Sequence, residues 1–135
     1  MTHRIAIRVY YEDTDLAGVV YYANYLRFIE RGRSEALRDI GIDQAALKRD
    51  RGLVFVVRSL GIDYLAPARF DDMLEVRTRV VNLKGASVEM GQEVWRSADR
   101  LVRASVTVAC MDGAGRPQRL PADVRTGLSA LITAD

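Results

Sequence analysis

Three acids, Glu12, Asp13 and Asp15, sit in the polar segment Tyr11-Glu-Asp-Thr-Asp-Leu-Ala-Gly18, directly ahead of a helical pattern. Acids placed there cap turns or favour the positive helix end, worth ~0.3–1 kcal/mol each. Two neighbours give them further scope. The apolar, aromatic run Val19-Val-Tyr-Tyr22 can wall a pocket, and a wall of that kind raises a carboxylate's basicity. The helix start behind it supplies N–H groups with no intrahelical acceptor, aimed at whatever lies in front. A carboxylate beside such donors suits acyl transfer: the donors polarise a carbonyl, and the acid attacks it or activates a water.

Other chemistries are excluded by composition. The chain of 135 residues has one cysteine, so an internal disulfide is impossible, and one histidine, so a zinc site or a Ser-His-Asp triad would rest on that single residue and neither is expected. Cys110 lies in the apolar run Val106-Thr-Val-Ala-Cys-Met111 and reads as a buried, inert thiol. His3 falls in an N-terminal segment expected to be loose. Metal and organic cofactors are therefore not expected, and the chemistry is left to carboxylates, hydroxyls and backbone dipoles. A net charge of +2, without a basic run, argues against nucleic acid. No stretch reaches the ~18 apolar residues of a membrane span or forms a secretory leader, so a cytoplasmic location is expected. The length fits one domain over residues 1–135.

The elements that must position the acids follow from periodicity. Ile5–Tyr10 reads as a first strand. From about Tyr22–Asn24 to Ile40 the spacing predicts a helix, with Tyr25, Phe28, Ile29, Gly32 and Ala36 on one face and Arg27, Arg31, Ser34 and Arg38 opposite. Gly32 costs about 1 kcal/mol in a helix interior unless another backbone packs close there. Residues 43–50 read as a short helix. Period two then takes over in Leu53–Leu65 (bent at Gly61), Met73–Leu83, Ser87–Arg96 and Leu101–Met111, with a hairpin turn at Ser97–Arg100 and a last helix opened by Pro121. One long helix against an antiparallel sheet is an α+β design, and about five strands wrapped around one central helix is the hotdog arrangement.

The motifs now become specific. Val9-Tyr-Tyr-Glu-Asp-Thr-Asp15, Gly18-Val-Val-Tyr21, Phe28-Ile-Glu-Arg31, Arg33-Ser-Glu-Ala-Leu37, Phe55-Val-Val-Arg58, Tyr64-Leu-Ala-Pro-Ala-Arg69 and Asp71-Asp-Met-Leu-Glu75 together resemble the 4-hydroxybenzoyl-CoA thioesterase-like branch of the hotdog superfamily. In particular they resemble the bacterial acyl-CoA thioesterases associated with the Tol-Pal system, through nearly the whole chain to about Pro121. The resemblance implies hydrolysis of acyl-CoA thioesters, with Asp15 as nucleophile or general base and the carbonyl resting against the backbone from Tyr22 to Asn24. Tyr11 matches a tyrosine with a role in relatives, or else packs beside the first strand. Tyr22 stands where Tol-Pal-associated members usually carry histidine and hydroxybenzoyl-CoA enzymes carry tyrosine. It either walls the pocket or donates a hydrogen bond. Asp13 reads as a turn residue, and Glu30 as an orienter of Arg33 or Ser34.

Coenzyme A needs a few cations and N–H donors for its phosphates. The turn Leu83–Val88 resembles the family's phosphate-contacting turn and offers Lys84, Gly85 and Ser87. Arg58 and Ser59, within the strand stretch Val57–Asp63, are further candidates, as is Arg69. The resemblance implies a homodimer or homotetramer with sites shared between subunits. Two other functions stay open: an aroyl-CoA thioesterase, favoured by Tyr22, and a non-catalytic partner of an acyl carrier protein in envelope lipid metabolism.

Overall fold

β-Branched and aliphatic residues alternating with charged ones form the strands, and the alternation sets which face is buried. In the computed structural model, which describes residues 1–133, the strands are β1 (His3–Arg8), β2 (Leu53–Tyr64), β3 (Met73–Leu83), β4 (Ser87–Arg96) and β5 (Asp99–Asp112). They form one antiparallel sheet in the order β1-β3-β4-β5-β2. Helix α1 (Asn24–Asp39) buries Tyr25, Phe28, Ile29, Gly32, Ala36 and Leu37 against it. A short α2 (Gln44–Arg51) follows, and α3 (Ala122–Ser129) ends the fold. This is the α+β hotdog arrangement that the order of elements predicts.

The inward faces match the alternation: Leu74, Val76, Thr78 and Val80 of β3 are buried, as are Val102, Ala104, Val106, Val108 and Cys110 of β5. Burial raises the Cys110 thiol's pKa, in keeping with an inert side chain. At Gly32 the close neighbour is a side chain: an added Cβ would lie 2.5 Å from Val76 Cγ1. The helix therefore rests on β3 at a distance only glycine allows.

Three expectations are corrected. His3 is not in a loose tail; it opens β1, is 7% exposed, and its Nε2 lies 2.7 Å from Asp39 Oδ2 at the far end of α1. β2 bends not at Gly61 but between Val57 and Ser59, where the pairing with β5 slips by one residue and Arg58 bulges out. The hairpin after β4 is tighter than four residues, since Arg96 already pairs with Asp99 and only Ser97, at φ 53°, and Ala98 turn the chain.

The sheet ends in an unprotected edge. β2 runs for 12 residues, bonds to β5 on one side, and leaves Val56, Val57, Leu60 and Tyr64 exposed. Among the described residues no helix is long and apolar enough to cross a membrane.

Candidate active site

Asp15 begins a tight turn. Its carbonyl accepts the Gly18 N–H at 3.0 Å, its own N–H goes to the Val19 carbonyl at 2.9 Å, and Gly18 takes the positive φ of 79° that closes the turn. The carboxylate folds back so that Oδ1 accepts the Ala17 N–H at 2.9 Å, the local bond that aspartate favours in turns. Oδ2 has no hydrogen-bond partner among the described residues. The side chain is exposed.

The loop is anchored beneath. Asp13, 9% exposed, accepts the Tyr10 N–H at 2.8 Å and Asn24 Nδ2 at 3.2 Å, while its carbonyl takes the Tyr21 N–H. Asp13 thus holds a turn, as its position suggests. Val20 donates to the Ala68 carbonyl, and the Ala68 N–H returns a bond to the Tyr25 hydroxyl at 2.9 Å. Asp72 completes the clamp, with Oδ2 taking both the Arg69 N–H and Arg96 Nη1 at 2.9 Å.

The start of α1 determines which donors remain. The Asn24 N–H is spent on the Tyr21 carbonyl at 2.8 Å, and that of Tyr25 on the Tyr22 carbonyl at 3.4 Å. Ala23 provides no side-chain cap. Among the described residues the N–H groups of Tyr22 and Ala23 have no acceptor. The free donors therefore sit one to two residues ahead of Asn24, whose side chain is tied to Asp13.

Four tyrosines surround this start. Tyr22 packs against Tyr21 with ring centroids 4.9 Å apart and edge-on to Tyr64 at 6.1 Å, and Tyr64 meets Tyr25 at 5.6 Å. The Tyr21 hydroxyl is held above its ordinary pKa, first by the neighbouring Tyr22 phenol, then by burial, with the charge of Asp15 adding to the effect. Burial, followed by Tyr22, raises Tyr64 as well, so both phenols stay protonated donors at neutral pH. Tyr64 Oη donates to the Tyr22 carbonyl at 3.2 Å. The motifs include Tyr64, but nothing in the sequence marks this tether.

The remaining candidates lie elsewhere in the single chain. Tyr11 is 82% exposed and meets Phe70 edge-on at 6.4 Å. Arg58 and Ser59 lie midway along the β2 edge. Lys84 and Gly85 form the β3–β4 turn, where Lys84 Nζ pairs with Glu89 at 3.0 Å and the Gly85 carbonyl takes the Leu120 N–H. Ser87 is 5% exposed. That turn stands at the opposite end of β3 from Met73, ~33 Å away at ~3.3 Å per residue, whereas the Asp15 loop bridges to Arg69 near the Met73 end. The single chain does not bring Lys84 to Asp15. Among the described residues no group of three or more His, Cys, Asp or Glu side chains is placed to hold a metal ion.

Comparison with known proteins bears on the same segments. The acyl-CoA thioesterase YbgC of Haemophilus influenzae is 44% identical over 126 residues, 93% of each chain. The acyl-CoA thioester hydrolase YbgC of Escherichia coli is 43% identical, covering 90% of this chain and 91% of that one. Among solved structures, the dynemicin thioesterase superposes with a TM-score of 0.91 at 30% identity over 100% of both chains. The profile of the thioesterase superfamily matches residues 17–103, from the end of the Asp15 turn through α1 and most of the sheet. With the hotdog sheet around α1 and these relatives along nearly its whole length, the chain belongs to the thioesterase superfamily.

Proposed function

We propose that this protein hydrolyses acyl-CoA thioesters, chiefly of short to medium chain length, to the free acid and CoA. Asp15 is the reacting carboxylate. One observation carries the reading: a single loop-to-helix segment holds a carboxylate oxygen and two N–H groups, those of Tyr22 and Ala23, that have no partner among the described residues. The donors take the thioester oxygen as it gains charge. Asp15 either adds to the carbonyl carbon, expelling the CoA thiolate and leaving an anhydride for water to open, or removes a proton from the attacking water. The names of the 43–44% identical relatives support the substrate class. The aromatic surround of Tyr21, Tyr22 and Tyr64 favours a second reading, an aroyl-CoA thioesterase.

The working unit in this reading is a homodimer, or a tetramer built from it, joined through β2. A 12-residue edge with exposed Val56, Val57 and Leu60 calls for a partner strand. Antiparallel pairing of two β2 strands about their middle, near Arg58 and Ser59, carries the partner's β3–β4 turn toward this chain's Asp15. The test is thiol release from a panel of acyl-CoA and aroyl-CoA esters. Aliphatic esters of short to medium length are expected to be the best substrates, and a panel cleaved only at aroyl esters selects the second reading.

A further inference from the structure

Between α1 and the inner face of the sheet lies a cavity of about 190 Å³ that the site above does not use. Its wall is apolar, with Phe55, Met90, Val108 and Leu128 among its side chains. Its rim is not: Glu30, Arg33 and Ser34 line it from α1. By helical rise, Glu30 and Arg33 stand ~9 and ~14 Å along α1 from Asn24. A medium-length chain starting at the helix N-terminus spans that distance.

Arg33 is the unusual member. It is half-buried, no carboxylate among the described residues lies within ion-pair distance, and its one hydrogen bond goes from Nη1 to Gln92 Oε1 at 3.1 Å. Gln92 is fully buried and fixed in turn, its Nε2 donating to the Ile29 carbonyl at 2.8 Å and Thr78 Oγ1 at 2.9 Å. Burial lowers the Arg33 pKa while the charge of Glu30 acts the other way. A guanidinium has five N–H donors, and a desolvated cation with spare donors favours an acceptor beside it.

Glu30 narrows what that acceptor is. It is exposed at the rim, where its Oε1 takes the Ser34 hydroxyl at 3.0 Å, and its other oxygen has no partner among the described residues. A carboxylate arriving here would meet Glu30's charge, whereas a hydroxyl satisfies both neighbours. We propose that this cavity receives the far end of the acyl chain and recognises a hydroxyl there, Arg33 donating to its oxygen and Glu30 accepting its hydrogen. The substrate class is then medium-chain acyl-CoA hydroxylated far from the thioester, a refinement that rests on the acyl-CoA reading above.

The test compares decanoyl-CoA, ω-hydroxydecanoyl-CoA and the mono-CoA ester of decanedioic acid as substrates. It also compares binding of the two non-hydrolysable thioethers, decyl-CoA and ω-hydroxydecyl-CoA, by calorimetry. The hydroxylated ester should be favoured about tenfold in kcat/KM, and its thioether about tenfold in Kd, as a hydrogen bond to a charged group gives. Arg33→Met should reverse the order, because the hydroxyl then enters an apolar cavity without its donor. Arg33→Lys should keep part of the preference, and guards against a folding defect in the methionine variant. Hydrolysis of all three esters with equal thioether affinities overturns the proposal and leaves the thioesterase reading standing. A thioether preference without hydrolysis of any ester does the reverse. A preference for the decanedioic ester makes this an anion site and also overturns the proposal.

Discussion

The Tyr64 hydroxyl donates to the carbonyl of Tyr22 at 3.2 Å, tying the end of the edge strand to the turn that presents the free N–H groups of Tyr22 and Ala23. Tyr22 itself is 61% exposed, with its ring against Tyr21. If the ring serves as a pocket wall, Tyr22→Phe should leave kcat within a few fold of wild type. A fall nearer ~10²-fold in a folded variant would make its hydroxyl a donor to the reacting oxygen. Tyr22→His should move preference toward aliphatic acyl groups, and an unchanged substrate profile removes this position as a determinant.

Asp15→Asn keeps the turn, because the amide oxygen can still accept the Ala17 N–H. It can neither attack a carbonyl nor take a proton. Activity should drop by ~10²–10⁴ with an unchanged melting temperature. Retention of activity within a few fold would move the chemistry to another residue.

Gly32 tests the packing that places α1. A Cβ there would lie 2.5 Å from Val76 Cγ1, so Gly32→Ala should destabilise by ~1–3 kcal/mol despite alanine's better helix propensity. Adding Val76→Ala should recover part of the loss. If urea denaturation shows the single variant to be as stable as wild type, the helix has room to move off β3.

The sequence signals this contact only halfway. A glycine in the middle of an apolar helical stripe implies a close neighbour, but not that the neighbour is Val76, 44 positions later. The same limit hid His3–Asp39 and Tyr64–Tyr22, each a single bond between residues far apart in the chain. The bulge in β2 was nearer to legible. The residues that pack on the core change from Leu53 and Phe55 to Ile62, odd to even, and that change of parity requires one extra residue between them. Gly61 permits a bend, yet the side-chain parity decides where the bend falls. As for the site, the loop before the helix could be read from its acids, while choosing Asp15 among them required the family's motif.

Acid stability should depend on Asp72. Burial pushes its carboxyl up, but the Arg69 N–H and the Arg96 guanidinium outweigh burial and hold it below the usual carboxylate value. A depressed folded-state pKa contributes stability above the unfolded value and loses it as pH falls through the folded one. Between about pH 6 and about pH 3 wild type should therefore lose more stability than Asp72→Asn, and their urea midpoints should converge. Parallel curves would show that the Asp72 clamp contributes nothing to folding.

Subunit exchange tests the shared site directly. If two β2 edges pair, each active site takes Asp15 from one chain and the β3–β4 turn, with Lys84, from the other. Asp15→Asn chains should be nearly inactive, and Lys84→Ala chains should show a raised KM for the CoA ester, since a phosphate has lost a cation. Mixed dimers hold one site with both defects and one with neither. A mixture after exchange should therefore regain activity with a wild-type KM, which neither parent shows. Leu60→Glu near the middle of β2 offers an independent check, because it sets two carboxylates close together in an otherwise apolar seam and should shift sedimentation toward monomer with loss of activity. A fully active monomer at assay concentration, or verified mixed dimers that recover nothing, would return the whole site to one chain.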